Sequence, residues 1–182
     1  RLKLHKAEER VRELNRAAAQ LARSVADASG REVIVAGSMG PTGEILEPLG
    51  ALSSADASAA FAEQAVALAE GGADVLWIET LSSREEVEAA IAGARAAGLP
   101  IVSTLSFDTN GRTMMSLTPA ELAGIARAQH LAACGSNCGV GPAELVASIL
   151  NLSTAADPDM VLVAKANCGI PQWVDGAIRY DG

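Results

Sequence analysis

Aromatic residues are scarce in this chain, at 3% of 182 residues, with two Trp, one Tyr and two Phe. Ala, Leu, Val and Gly dominate instead, as when alanine-rich helices pack on strands of small residues. There are three cysteines, an odd number, too few for a disulfide framework at this length. No apolar run approaches the roughly 20 residues of a membrane span, and none has the layout of a signal peptide. Positive charge is outweighed: 14 Lys and Arg against 22 Asp and Glu give a net charge of -8. That balance argues against nucleic acid or an anionic membrane as a partner. A reducing, cytoplasmic setting is the expectation. The chain opens at Arg1 in a charged, helix-like segment and stops at Tyr180-Asp-Gly182 without a closing element, so it reads as the interior of a longer protein.

What is present is a regular alternation of strand and helix patterns. From Lys6 to Ser29, Val11, Leu14, Ala18, Leu21 and Val25 recur at helical spacing and predict an amphipathic helix, with Gly30 as its C-terminal cap. Glu32 to Gly37 predicts a strand, and a loop of roughly 17 residues to Ser54 is long enough to suggest a function. Asp56 to Glu70 predicts a helix, ended by Gly71-Gly72, and Val75 to Ile78 a strand closing on Glu79. Ser83 with Glu86, and Thr118 with Glu121, have capping-box spacing. Strands are expected at 101–105, 131–136 and 160–164, a helix from Pro142 to about Ala155, and a tail from Asn167.

Strands therefore start near residues 33, 75, 101, 132 and 160, each followed by a crossover long enough for parallel pairing. An open doubly wound sheet and part of a (β/α)8 TIM barrel both fit. No phosphate-loop or dinucleotide fingerprint follows the first strand, which favours the barrel. A barrel of about 250 residues would leave strands missing at both ends, so the expected fold is α/β, an incomplete TIM barrel of about five strand–helix units.

In a barrel, side chains at the C-terminal ends of strands converge on one mouth. The candidates there are Ser38, Glu79, Ser106 to Asp108, Asn137 with Cys138, and Lys165 with Asn167 and Cys168. Cys134 and Cys138 would lie about 13 Å apart along an extended segment, too far to share a metal with Zn–S bonds of about 2.3 Å. Cys134 is expected in the core and Cys138 at the mouth, either as a zinc-ligand thiolate or as an inert cysteine. Glu79 ends an apolar run and suits a substrate amine or a proton transfer. Lys165 suits a Schiff base if its amine is neutral, or else an ion pair. Gly139-Val-Gly141, just before a helix, suits an anion or a plain turn. His5 and His130 have no partner at ligand spacing.

Five segments, Val35-Ala-Gly-Ser-Met-Gly-Pro-Thr-Gly43, Asp74-Val-Leu-Trp-Ile-Glu-Thr80, Ser106-Phe-Asp-Thr-Asn-Gly-Arg-Thr113, Gly135-Ser-Asn-Cys-Gly-Val-Gly-Pro142 and Lys165-Ala-Asn-Cys-Gly-Ile-Pro171, resemble in that order the homocysteine S-methyltransferase family. Within it the likeness is greatest to the bacterial betaine–homocysteine methyltransferase type. The resemblance spans essentially the whole chain, and Gly135-Ser-Asn-Cys138 matches the sharpest motif. It implies a (β/α)8 barrel whose zinc is held by three cysteines, of which Cys138 is one. The other two form an adjacent pair after the eighth strand, beyond Gly182, and the first two strands would precede Arg1.

By the same matching Glu79 holds the homocysteine amino group; beside it Asn137 and Gly139 are expected to shape the substrate-binding rim, with Lys165, Asn167 and Asp108 as further candidates. Cys168 stands where the family more usually has alanine. The implied partners are homocysteine and a methyl donor: betaine first, then S-methylmethionine or a corrinoid or folate carrier. Self-association into a homo-oligomer stays open. Two other readings remain: a Schiff-base or phosphate-binding barrel lyase using Lys165, and a catalytically incomplete fragment.

Overall fold

The computed structural model describes residues 5–108, 110–167, 169 and 171–180. Five strands, β1 (Ala36–Met39), β2 (Val75–Glu79), β3 (Ile101–Leu105), β4 (Ala133–Cys138) and β5 (Val161–Ala166), form one sheet in chain order. Every pairing in it is parallel. Helices α1 (Val11–Ala28), α2 (Ser54–Glu70), α3 (Arg84–Ala94), α4 (Pro119–Ala128) and α5 (Pro142–Ala155) precede the first strand and connect the others. This is the α/β alternation expected, and it is part of a barrel wall rather than a flat sheet. The side chains of Glu79 on β2 and Lys165 on β5 meet at 2.8 Å. In a flat sheet three strand spacings would hold their backbones about 14 Å apart, with both side chains standing off the sheet; the contact fits a sheet that curls toward its concave face.

The alternation of side chains assigns the two faces. Met39, Leu76, Ile78, Ile101, Leu105 and Cys134 are buried in the main apolar cluster together with Phe61 and Leu68 of α2, Val87 and Ile91 of α3, and Leu122 of α4. The intervening residues fall in register on the concave face: Ser38 beside Trp77, Trp77 beside Val102, Glu79 beside Thr104, and Asn137 beside Lys165. Gly135 lies in the same rows and lets β4 and β5 close up. A Cβ there would sit 2.0 Å from the Val163 carbonyl oxygen.

Local signals set most helix starts. Ser53 and Ser83 accept hydrogen bonds from Asp56 N and Glu86 N, and Thr118 with Glu121 closes a full capping box with Pro119 in the first turn. The expected box at Ser83 is only half formed, because the Glu86 carboxylate turns away to accept from Thr42 N (2.8 Å) and Thr42 Oγ1 (2.7 Å).

Three further expectations need correction. The first strand runs over 36–39 rather than 32–37, because the Asp74 carboxylate takes Val35 N at 2.7 Å. Helix α1 does not bury its large apolar stripe: Leu21 and Val25 are 69% and 64% exposed. It packs through Ala19 instead, against Gly71, where a Cβ would meet the Arg16 carbonyl at 2.5 Å. The segment expected as a tail holds an antiparallel hairpin, β6 (Pro171–Val174) and β7 (Ala177–Tyr180). Asp175 and Gly176 turn it, both at positive φ, the conformation a tight two-residue hairpin loop requires.

Candidate functional site

The site grows from the C-terminal end of β2. Alternation places Trp77 and Glu79 together on the concave face while Leu76 and Ile78 anchor the strand in the core. Both oxygens of Glu79 are engaged: Ser38 Oγ donates to one at 2.6 Å and Lys165 Nζ to the other at 2.8 Å. Burial alone would push the Glu79 carboxyl up, but these two hydrogen bonds and the Lys165 charge outweigh it and hold the group below its ordinary value. Lys165 Nζ also lies 5.8 Å from the centre of the Trp77 ring, a cation–π arrangement. The indole in turn is fixed by Nε1 donating to Thr104 Oγ1 at 2.9 Å. A lysine paired with a carboxylate lacks the isolation that prepares an amine for Schiff-base chemistry, so the ion-pair reading of Lys165 is the one the geometry favours.

A second group sits one strand end away. Asn137 is fully buried, and its Nδ2 donates to Thr80 Oγ1 at 2.9 Å and approaches Cys138 Sγ at 3.1 Å. Ser106 Oγ donates to the Asn137 carbonyl at 2.9 Å. Thr80 (φ 67°) and Cys138 (φ 59°) both adopt the left-handed backbone region, uncommon outside glycine and asparagine. That turn ends each strand and redirects its last side chain. Cys138 is half-buried, whereas Cys134 is fully buried on the helix side, where desolvation pushes its thiol up to about 11. The two cysteines therefore separate as expected. Asn167 Nδ2 donates to the Gly139 carbonyl at 3.2 Å, which ties the end of β5 to the loop after β4.

The structure thus brings Glu79, Lys165 and Ser38 into one cluster, and Asn137, Thr80 and Cys138 into the next. Asn167 and Gly139 stand beside them. Asp108 lies exposed in the loop after β3, and Cys168 falls outside the described residues. A cavity of about 650 Å³ opens on the other side of Glu79, between the β1–α2 loop and α1, with Ser38, Thr80, Phe61 and Leu14 in its wall. Cys138 does not line it. Among the described residues no three His, Cys, Asp or Glu side chains gather as a metal site. As to zinc, the described residues offer one half-buried, soft thiol on the rim, at Cys138, which fits a single position of a thiolate site.

Sequence reasoning overlooked Trp77, Thr80 and the link from Glu86 to Thr42. Trp77 was legible, since it stands two residues before Glu79 in one strand. The Thr42 link, 44 residues apart, carries no local signal.

The chain is 31% identical over 178 residues to a methionine synthase of Mycobacterium tuberculosis and 27% identical over 172 residues to one of Mycobacterium leprae. In each case the match covers 90% of the chain and 14% of the relative's length. The homocysteine methyltransferase MmuM of Escherichia coli, in its apo form, superposes with a TM-score of 0.73. That match has 22% identity and covers 87% of this chain and 61% of that one, so it speaks for the fold. The family model for homocysteine S-methyltransferase matches residues 1–182, and on that match the chain belongs to the homocysteine S-methyltransferase family.

Proposed function

We propose that the protein transfers a methyl group to the sulfur of homocysteine to form methionine, and that these residues are the central part of a single homocysteine-binding barrel domain. The observation that carries the reading is the pairing of an anionic anchor with a thiol on one rim: Glu79 on β2, and Cys138 on β4, joined through Thr80 and Asn137. Glu79 receives the substrate ammonium. It is ionised at neutral pH, held on the concave face by its strand, and polarised by Ser38. Asn137 orients the Cys138 sulfur through its amide, and Asn167 with Gly139 shapes the loop beside it. Asp108, on the neighbouring loop, is the outermost residue assigned to the substrate rim.

Cys138 is the residue that would hold zinc, together with ligands from outside the described residues. Zinc, when bound, supplies a Lewis acid beside which a thiol ionises near neutral pH. The substrate sulfur, as thiolate, attacks the methyl carbon of a cationic donor in line. The S–CH3 bond forms as the donor's N–CH3 or S–CH3 bond breaks, and the electron pair leaves with the neutralised donor. Alignment by the head-group anchor supplies much of the rate.

Betaine is the donor placed first, on the likeness of the five strand-end segments. A different donor has a specific observation in its favour. Quaternary ammonium groups are recognised by open aromatic faces, and the Trp77 face is already covered by Lys165. The relatives named methionine synthase also keep a donor other than betaine in play. The test is methionine formation by the full-length protein with betaine, S-methylmethionine and methyl-carrier donors, with zinc content measured alongside. Cys138→Ala should lose both zinc and activity. Full activity in that variant, or no methionine with any donor, would overturn the reading.

A further inference from the structure

The concave face carries one charged pair that the methyl transfer, as described, uses only in half. Glu79 has a role, and Lys165, 86 residues away in sequence, has none beyond occupying it. We propose that Lys165 is a substrate-binding residue, and that the Glu79–Lys165 pair opens around the head group of an amino acid, Glu79 taking the ammonium and Lys165 the α-carboxylate. The inference rests on the homocysteine reading and deepens it.

Three observations carry it. First, both Glu79 oxygens are occupied, by Ser38 and Lys165, so an incoming ammonium meets a cation already in place. A substrate with an ammonium alone would set two like charges on one carboxylate. A zwitterion, with its opposite charges joined through a single carbon, replaces one charged contact with two and adds no net charge.

Second, the pair is built to open. Lys165 is 56% exposed, and ion pairs at that exposure contribute little by themselves. The Lys165 stem is flexible, and its ammonium lies 5.8 Å from the centre of the Trp77 ring, a second contact on the concave side. Third, the position is right for the sulfur. Lys165 is in register with Asn137, the residue before Cys138, so a head group held between Glu79 and Lys165 lies on the rim that presents the thiol. Among the described strand residues that share the concave rows, Lys165 is the cation available to a carboxylate.

The test is calorimetric titration of the full-length protein with homocysteine and with the aminothiol that lacks its carboxylate, using the wild type, Lys165→Met and Lys165→Arg. Lys165→Met should weaken homocysteine on the order of ten- to a hundredfold, the size of a lost charge-assisted hydrogen bond. The same variant should bind the aminothiol as well as the wild type or better, since a competitor for Glu79 is gone. Lys165→Arg should recover most of the homocysteine affinity. Unchanged homocysteine binding in Lys165→Met, or an equal loss for both ligands, would sink the proposal and leave the homocysteine reading standing. A wild-type protein that binds neither ligand would sink both.

Discussion

Replacing Glu79 with glutamine separates binding from folding more cleanly than any other change at this site. The amide keeps the shape and can still accept from Ser38, now 2.6 Å from one carboxylate oxygen, but it carries no charge for an ammonium. A hydrogen bond to a charged group contributes about 1.5–3 kcal/mol, which is roughly a ten- to hundredfold rise in the KM for homocysteine. The turnover number should hold, because the anchor touches the head group and not the sulfur. Stability should change by less than about 1 kcal/mol, since the released Lys165 is largely in water already. Steady-state kinetics and a thermal melt on the same preparations check both halves.

The pH dependence follows from the direction of the Glu79 shift. Its folded value lies below the ordinary 4.5, so the ion pair contributes fully above that ordinary value and is lost only as pH falls through the lower folded one. Glu79 therefore adds no pH dependence to the KM between about pH 8 and pH 5. A variant whose turnover falls while KM stays fixed would place Glu79 in the chemistry and refute its role as an anchor. A variant unchanged in both would remove it from the site.

Three other outcomes are expected. Brief alkylation of the native protein at pH 8 should label Cys138 well ahead of Cys134, read by peptide mass spectrometry. Cys134 is buried with its thiol pushed up to about 11, which leaves it as thiolate about a thousandth of the time. Gly135→Ala should destabilise by about 3 kcal/mol, because the added Cβ meets the Val163 carbonyl oxygen at 2.0 Å and its carbon at 2.7 Å. Only separation of β4 from β5 relieves that contact, and denaturant unfolding would measure it. Glu86→Ala removes the acceptor of the Thr42 N–H and leaves its hydroxyl only the Glu44 carbonyl at 3.4 Å, at a cost of about 2 kcal/mol. Hydrogen exchange should show the loss of protection centred on Thr42, in the loop that walls the Glu79 cavity.

The elements most legible in the amino-acid order are those governed by neighbours in the chain. β3 at Ile101–Leu105 and α4 behind its Thr118–Glu121 box stand as expected, because burial on both faces and a capping box are local signals. Where long-range partners intervene, local pattern fails. Asp74 captures Val35 N and moves the start of β1, Thr42 draws Glu86 out of its capping box, and a small-residue seat at Gly71 turns the leucine and valine stripe of α1 outward. The hairpin at 171–180 is a different failure. Its Asp175-Gly176 turn was in plain view and Ile178-Arg179-Tyr180 alternates, yet each flanking run is only four residues long and largely exposed, so it lacks the buried face that marks a strand.

The candidate site divides along the same line. Glu79 and Cys138 were legible because each ends a recognisable strand, and strand ends in a barrel face one mouth. Their relation to each other was not, because Thr80 and Asn137 meet across 57 residues and Lys165 reaches Glu79 across 86. Those contacts depend on which strands the fold sets side by side and on the curl of the sheet they form. Curvature brings β5 over the concave face, so the same bend that begins a barrel also sets a cation beside the anion at its mouth. The head-group pair and the barrel wall are in that sense one feature: a change that pushes β5 away from β4, such as a side chain at Gly135, should disturb the Glu79–Lys165 contact before it disturbs either residue's own strand.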